Sequence, residues 1–359
     1  MTISKDKKKI IVSFILLFSD IILMFLFHNY PDLFFPWYRN ISKIYLNILS
    51  AVTGFLPFSI WDIAALILFI LFIFFLIRSI RKAKLLSYIC TLVLIISILF
   101  TDALFGWLLN HYAPPLNEII NLQTRQYTVE ELYDATDYYL KKACEYAPLT
   151  FRENNHVKIK DFNELAIEAG KSYKDISATY PIFKGSNSRV KSFSLIGDYL
   201  MYNGIIGMFM PLTGEASVPY HVPPVVMPFT MAHEASHRLG IASEQEANFS
   251  AFLACINNTD PVFIYSGYYS AFSYCFSSLY QNDPELAISL YKECNYDNFN
   301  LLINDRKDTA AIYQKYESSL KEISDQINDT YLKTFSQESG IASYGEVTEY
   351  LIAYYFNTK

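Results

Sequence analysis

The segment of this 359-residue chain richest in reactive side chains runs from Met227 to Cys255, MPFTMAHEASHRLGIASEQEANFSAFLAC. Its centre, His233-Glu234-Ala235-Ser236-His237, is an H-E-x-x-H pattern. Residues four apart on a helix stack on one face, so both imidazoles can reach one Zn²⁺ at about 2.0–2.1 Å. Glu234, one position along, is angled toward the open side of such an ion. There it would act as the general base, taking a proton from a water whose pKa the metal has lowered to about 7. Pro228 suits the first turn of the helix and Gly240 a left-handed C-terminal cap, which confines the motif to one short helix.

Two histidines leave a catalytic zinc one protein ligand short. The signature with a third histidine needs it at position 243, and Ser243 excludes that class. A glutamate is the remaining choice, and the next helix offers Glu244 and Glu246. Ser243 and Glu246 read as an S-x-x-E capping box, which occupies Glu246 and favours Glu244 as the ligand. Ala247 permits close helix approach, and Asn248 can hydrogen-bond a ligating imidazole from behind. Upstream, Thr213–Val218 (TGEASV, with Glu215) is expected as the edge strand onto which an extended peptide adds. Tyr220 and His221 are candidate donors to a tetrahedral oxyanion, set against an ordinary loop role. Arg238 reads as a surface or salt-bridge residue. The alternative to a metal is a polar network in which the histidines bond Glu244 directly. Its desolvation cost is on the order of several kcal/mol, which a cation would offset.

The elements that must hold these residues divide near residue 107. Hydrophobic residues make up 52% of the chain, and most of the excess precedes residue 108. Apolar runs at 10–27, 60–77 and 85–107 are long enough to span a bilayer. Lys5, Lys7, Lys8 and Lys9 precede the first, and no small-residue cleavage site follows it, so it is expected to stay as an anchor and not to be removed as a signal peptide. Arg78, Arg81, Lys82 and Lys84 form a basic turn between the second and third spans. Positive residues remain cytoplasmic, which puts the N-terminus and that turn inside and residues 28–59 and 108–359 outside. Asp20, within the first span, is either a polar contact between helices or a carboxyl near the interface. The aromatic, amphipathic stretch between the first two spans either lies in the membrane interface or packs beneath the domain that follows.

Residues 108–359 read as a mostly helical domain. Thr128 with Glu131, and Asp161 with Glu164, mark helix starts, the second helix stopping near Pro181. The stretch 189–219, broken by Asn203-Gly204, Gly207 and Gly214, suggests a small hairpin or irregular sheet. Helices are expected over 244–257, 260–281, 284–294, 306–335 and 343–356. The net charge of −6, with 29 basic and 35 acidic side chains well mixed, excludes a phosphate-tracking nucleic-acid surface. Cysteines at 90, 144, 255, 275 and 294 form no C-x-x-C pair, and free buried thiols are the favoured reading over disulfides.

Three stretches resemble a family of bacterial membrane proteins of unknown function that carry gluzincin-like zinc motifs: GFLPFSIWD (Gly54 to Asp62), TGEASV, and PFTMAHEASHRLGIASEQEANFSAFLAC. The resemblance covers nearly the whole chain and implies a membrane-bound metallopeptidase of the bacterial plasma membrane, with no established substrate. The E-x-x-A-N element at Glu244–Asn248 is similar to the E-x-x-A-D segment of gluzincin peptidases, whose first glutamate binds zinc, and so again selects Glu244. Here Asn248 stands for the aspartate, and only seven positions separate His237 from Glu244. The expectation is a three-span anchor (1–107) carrying a mainly α, zincin-like domain (108–359) that hydrolyses peptide bonds with zinc. Rival readings are a zinc hydrolase of a non-peptide envelope substrate and a non-catalytic receptor or scaffold.

Overall fold

A computed structural model describes residues 4–334 and 343–358. Three helices among them are long and apolar enough to cross a membrane: α1 (Lys5–Asn29), α3 (Trp61–Arg81) and α4 (Leu85–Gly106), with α2 (Pro31–Thr53) between the first two. At 1.5 Å per residue they measure about 31–38 Å, enough for a hydrocarbon core of about 30 Å. The protein is thus a membrane protein by the length and composition of these helices. α1 and α4 pack along a seam with a seven-residue repeat on both sides, Ser13, Asp20 and Phe27 against Cys90, Ser97 and Leu104. That repeat keeps one face of each helix on the other over several turns, and the small seam residues permit close approach. Asp20 is buried there, its Oδ2 accepting a hydrogen bond from Thr101 Oγ1 at 2.8 Å, so it is the polar contact between helices.

α2 buries Phe35, Tyr38, Ser42, Leu46, Ser50 and Thr53, residues three or four apart that form one stripe. The stripe packs beneath the soluble part. Ser42 Oγ donates to Gly106 O (2.8 Å), Ser50 Oγ to Ser186 Oγ (2.7 Å) and Thr53 Oγ1 to Thr213 O (3.1 Å).

After α4, a 3₁₀ turn (Leu108–Tyr112) and the short α5 (Leu116–Ile119) lead into α6 (Val129–Tyr146), which starts at the expected Thr128/Glu131 capping box. A hairpin of β1 (Arg152–Glu153) and β2 (His156–Val157) precedes α7 (Phe162–Lys171). Asp161 caps α7 as expected, but the helix stops at Lys171, ten residues before Pro181. The chain continues as two 3₁₀ turns, and Gly170 packs against the Ser188 backbone, where a Cβ would not fit.

The irregular stretch 189–219 is a three-stranded sheet. It comprises β3 (Lys191–Phe193), then the short α8 (Gly197–Tyr202), β4 (Met208–Met210) and β5 (Glu215–Pro219), in spatial order β3-β5-β4. β5 is parallel to β3 (Ser192 opposite Val218) and antiparallel to β4 (Phe209 opposite Ala216). TGEASV is therefore the buried central strand and not the edge. The outer side of β3 is taken by a bridge from Phe58 to Ser192, which leaves β4 as the open edge among the described residues.

The C-terminal half is α9 (Met227–Arg238), α10 (Glu244–Ile256), α11 (Pro261–Asn282), α12 (Pro284–Glu293), α13 (Phe299–Lys315), α14 (Leu320–Thr334) and α15 (Ser343–Asn357). The expected helix 306–335 is two helices, and α13 begins seven residues earlier; residue 335 lies outside the described residues. A single core of buried residues runs from Leu132 and Tyr139 on α6 through α9, α10 and α11 to Leu351 on α15. All five cysteines are free thiols, in line with the favoured reading.

Anchor and domain share a polar joint. Lys191 and Glu215, both fully buried, form an ion pair. Lys191 Nζ also donates to Thr53 O (2.8 Å), and Glu215 Oε1 accepts from Ile60 N (3.1 Å) at the start of α3. Asp62 accepts from the backbone N–H groups of Ser194, Leu195 and Ile196 at 2.6–3.3 Å. Glu215 is thus a fastening between sheet and anchor. Removing one member of such a pair strands a buried charge. Lys191→Met is expected to cost about 3–5 kcal/mol in unfolding experiments on the detergent-solubilised full chain, and Lys191→Met/Glu215→Leu to recover most of it.

Candidate metal centre

α9 opens with Pro228 in its first turn and is buried along its whole length. It ends in a Schellman turn: Gly240 adopts φ +87°, its N–H bonds His237 O (2.9 Å), and Ile241 N bonds Ser236 O (3.3 Å). The reversal folds Ile241–Ser243 back over the last turn of α9. Glu244, the first residue of α10, consequently faces the two histidines despite the seven-residue gap. His233 Nε2 lies 3.1 Å from His237 Nε2 and 3.2 Å from Glu244 Oε2, and His237 Nε2 lies 3.7 Å from Glu244 Oε1. A tetrahedral ion with bonds of about 2.0–2.1 Å separates its donor atoms by about 3.3 Å. The three side chains form the cluster among the described residues that could hold a metal ion.

Both imidazoles are held from behind. His237 Nδ1 is 2.7 Å from Ile241 O, a carbonyl that can only accept, so the ring proton sits on Nδ1 and Nε2 carries a bare lone pair. His233 Nδ1 is 2.9 Å from Asn248 Oδ1, so Asn248 holds this ring from behind, while the ring's Nε2 bonds Glu244. Burial pushes the His237 imidazole down to about 4, and the neighbouring His233 adds to this. His233 is also penalised by burial, but the hydrogen bond and charge of Glu244 outweigh that and hold it up at about 8. Glu244 is held down at about 2, its burial overcome by the His233 hydrogen bond and the charge of both rings.

The Glu234 side chain lies beside the residue that precedes β4. Burial pushes its carboxyl up to about 8, with the charge of Glu244 in the same direction. Gly207, at the start of β4, lies against it: a Cβ there would come within 2.3 Å of Glu234 Oε1. On the anchor side, the Trp107 ring meets His237 edge-on at 5.7 Å, and Phe209 lies 6.3 Å from the same imidazole. His111 is half-buried in the 3₁₀ turn, desolvation holding its imidazole down at about 4, with His237 acting in the same direction and Glu244 against it. Trp107, Phe209, Gly207 and His111 were not legible as site residues. The one available signal was a histidine four residues past the end of a span.

Other expectations are corrected. Glu246 makes no capping box, since the Ser243 side chain caps nothing; its Oε1 accepts from Leu116 N (2.7 Å) and Tyr350 Oη (3.4 Å), away from the cluster. His221 is exposed and paired with Asp198 at 2.6 Å, on the rim of a separate cavity of about 360 Å³, and Tyr220 is beside it. Arg238 is no surface residue: it is fully buried beneath α9, its guanidinium reaching Ser186 O at 3.5 Å.

These features describe a mainly helical membrane protein with a buried two-histidine, one-glutamate cluster seated against the ends of its anchor. The chain belongs to the family described as Protein of unknown function (DUF3810), whose model matches residues 37–352, from within α2 to within α15. No curated protein and no solved structure matches it.

Two outcomes follow from the site. Burial raises Glu246 to about 7, so the folded chain keeps a proton that the unfolded chain releases from about pH 4.5 upward. The associated stability is present below that pH and is lost as pH rises through 7. Glu246→Gln should flatten this decline in a Tm-against-pH series. Gly207→Ala should lower Tm; Glu234→Ala should relieve the loss, and the isosteric Glu234→Gln should not.

Proposed function

We propose that the protein is a zinc-dependent peptide hydrolase of the bacterial plasma membrane, with its N-terminus cytoplasmic and its catalytic domain outside. The observation that carries this reading is that two imidazoles, each held through Nδ1 by a group behind it, bring their Nε2 atoms to one point beside a carboxylate at spacings close to those of a tetrahedral ion's donors. A set of two nitrogens and one oxygen suits zinc. His233, His237 and Glu244 would hold the ion, with Asn248 and the Ile241 carbonyl orienting the rings. Bound zinc supplies Lewis acidity and lowers the pKa of water to about 7, with a fourth position left open.

Glu234 does the proton work. Buried one position from His233, its carboxylate would take a proton from water and pass it to the leaving amine. Gly207 leaves that carboxylate room and keeps the backbone of β4 beside it. An extended peptide adding to the open edge of Met208–Met210 would then pass over Glu234. The outward orientation follows from Lys5–Lys9 and the basic turn Arg78–Lys84 lying at the other ends of the spans.

Zinc content of the purified full chain tests the reading. About one equivalent per chain is expected for the wild type and for Glu234→Gln, and near none for His237→Ala. Glu234→Gln should also abolish hydrolysis across a panel of peptide substrates. Equal, near-zero metal in the wild type and His237→Ala would favour the scaffold reading instead. Full metal with turnover only of non-peptide envelope substrates would favour the other hydrolase.

A further inference from the structure

α2 has a third face that nothing among the described residues covers. Its inner stripe packs on the anchor and the sheet. Its polar side meets the domain, Lys43 donating to the carbonyls of Ile182 and Lys184 while Asn47 faces Gly185. The remaining side presents Leu33, Trp37, Ile41, Ile44, Ile48 and Val52, with Leu33, Ile44, Ile48 and Val52 each about 60% exposed or more. A monomer in water does not keep six large apolar side chains in one exposed row without a use for them.

The course of α2 says what lies against that row. The helix crosses the ends of the spans. Near its start Tyr38 packs on Phe27, at the end of α1 (5.0 Å between rings). In its middle Tyr45 Oη donates to Asp102 (2.8 Å) and Ser42 Oγ to Gly106 O, all contacts with the last turn of α4. At its far end Thr53 reaches the sheet just before α3 begins. Because its contacts with α4 are confined to that last turn, α2 runs across the bundle and not along it. Its uncovered side is continuous with the apolar surfaces of the spans, while the domain occupies its polar side.

A second observation is independent of the helix. The chain's three tryptophans all fall near the same ends of the spans: Trp37 partly exposed on the uncovered row, Trp61 at the start of α3 with its Nε1–H donating to Thr213 Oγ1, and Trp107 buried at the end of α4. Tryptophan concentrates at the boundary between headgroups and acyl chains, where its ring is apolar and its N–H is wetted. The basic clusters Lys5–Lys9 and Arg78–Lys84 lie at the opposite ends of the spans.

We infer that α2 is an interfacial helix whose Leu33–Trp37–Ile41–Ile44–Ile48–Val52 row lies in the outer lipid boundary, so that the bilayer surface is a docking partner of the domain and sets the height of the His233–His237–Glu244 cluster. The Trp107 ring, buried at the end of α4, is 5.7 Å from the His237 ring, so the cluster lies beside the end of a span. The inference rests on packing and stands apart from the hydrolase reading.

Fluorescence of the full chain in phosphatidylcholine bilayers tests it. The contribution of Trp37 is obtained as wild type minus Trp37→Phe, and Ile48→Trp in the Trp37→Phe background gives a second reporter further along the row. Both should lose about half or more of their emission to lipid brominated near the carboxyl end of its chains, less to lipid brominated near the methyl end, and little to aqueous iodide. Quenching by iodide with brominated lipid inert would overturn the inference. Protection from every quencher, which a second copy covering the row would give, would overturn it too. Zinc content measured on the same samples separates these outcomes from failure of the metal reading.

Discussion

The left-handed turn at Gly240 is the constraint on which the centre depends. A side chain other than glycine at φ +87° is strained, and without that conformation α9 would neither end after Arg238 nor turn its chain back. The same turn does three things at once. It presents the Ile241 carbonyl to His237, carries Ala242 into the apolar cluster at the ends of the anchor helices, and starts α10 with Glu244 opposite both rings. Ligand, ligand orientation and seating on the anchor are thus consequences of one backbone reversal.

Anchor and domain are joined just as closely. Fastenings between them are buried or backbone-directed: the Lys191–Glu215 pair, the Asp62 carboxylate on three consecutive N–H groups, and the strand-like bridge between Phe58 and Ser192. The stretch from Gly54 to Asp62 therefore serves as a socket for the sheet, and the sheet in turn supports β4 beside Glu234. Trp107 belongs to the anchor by sequence and to the wall of the centre by position.

Much of this was legible where the information is local. Helical periodicity marked the spans and most of the soluble helices, the i, i+4 rule aligned His233 with His237, and Glu244 and Asn248 followed from their positions at the start of α10. What was not legible depended on partners distant in the chain. β5 looked like an edge, but its parallel neighbour β3 is supplied from the other side of α8 and β4, and strand order carries no local signature. Glu246 fitted a capping box until Leu116, 130 residues earlier, offered its N–H. Arg238 looked exposed because a charged residue at the end of a helix usually is; here the turn folds the chain over it. For α2 the two alternatives, interface or packing, were treated as exclusive, whereas a helix with three distinct faces can pack on one and leave another free.

A helix laid across the ends of three spans turns the anchor into a shelf instead of a tether. A domain on a flexible stalk samples a volume of solution, while one resting on a shelf holds its centre at a single depth above the lipid. Any target carried by the same membrane then shares that plane, and the search reduces to lateral diffusion. Confinement of this kind supplies effective concentrations on the order of millimolar without any added contact.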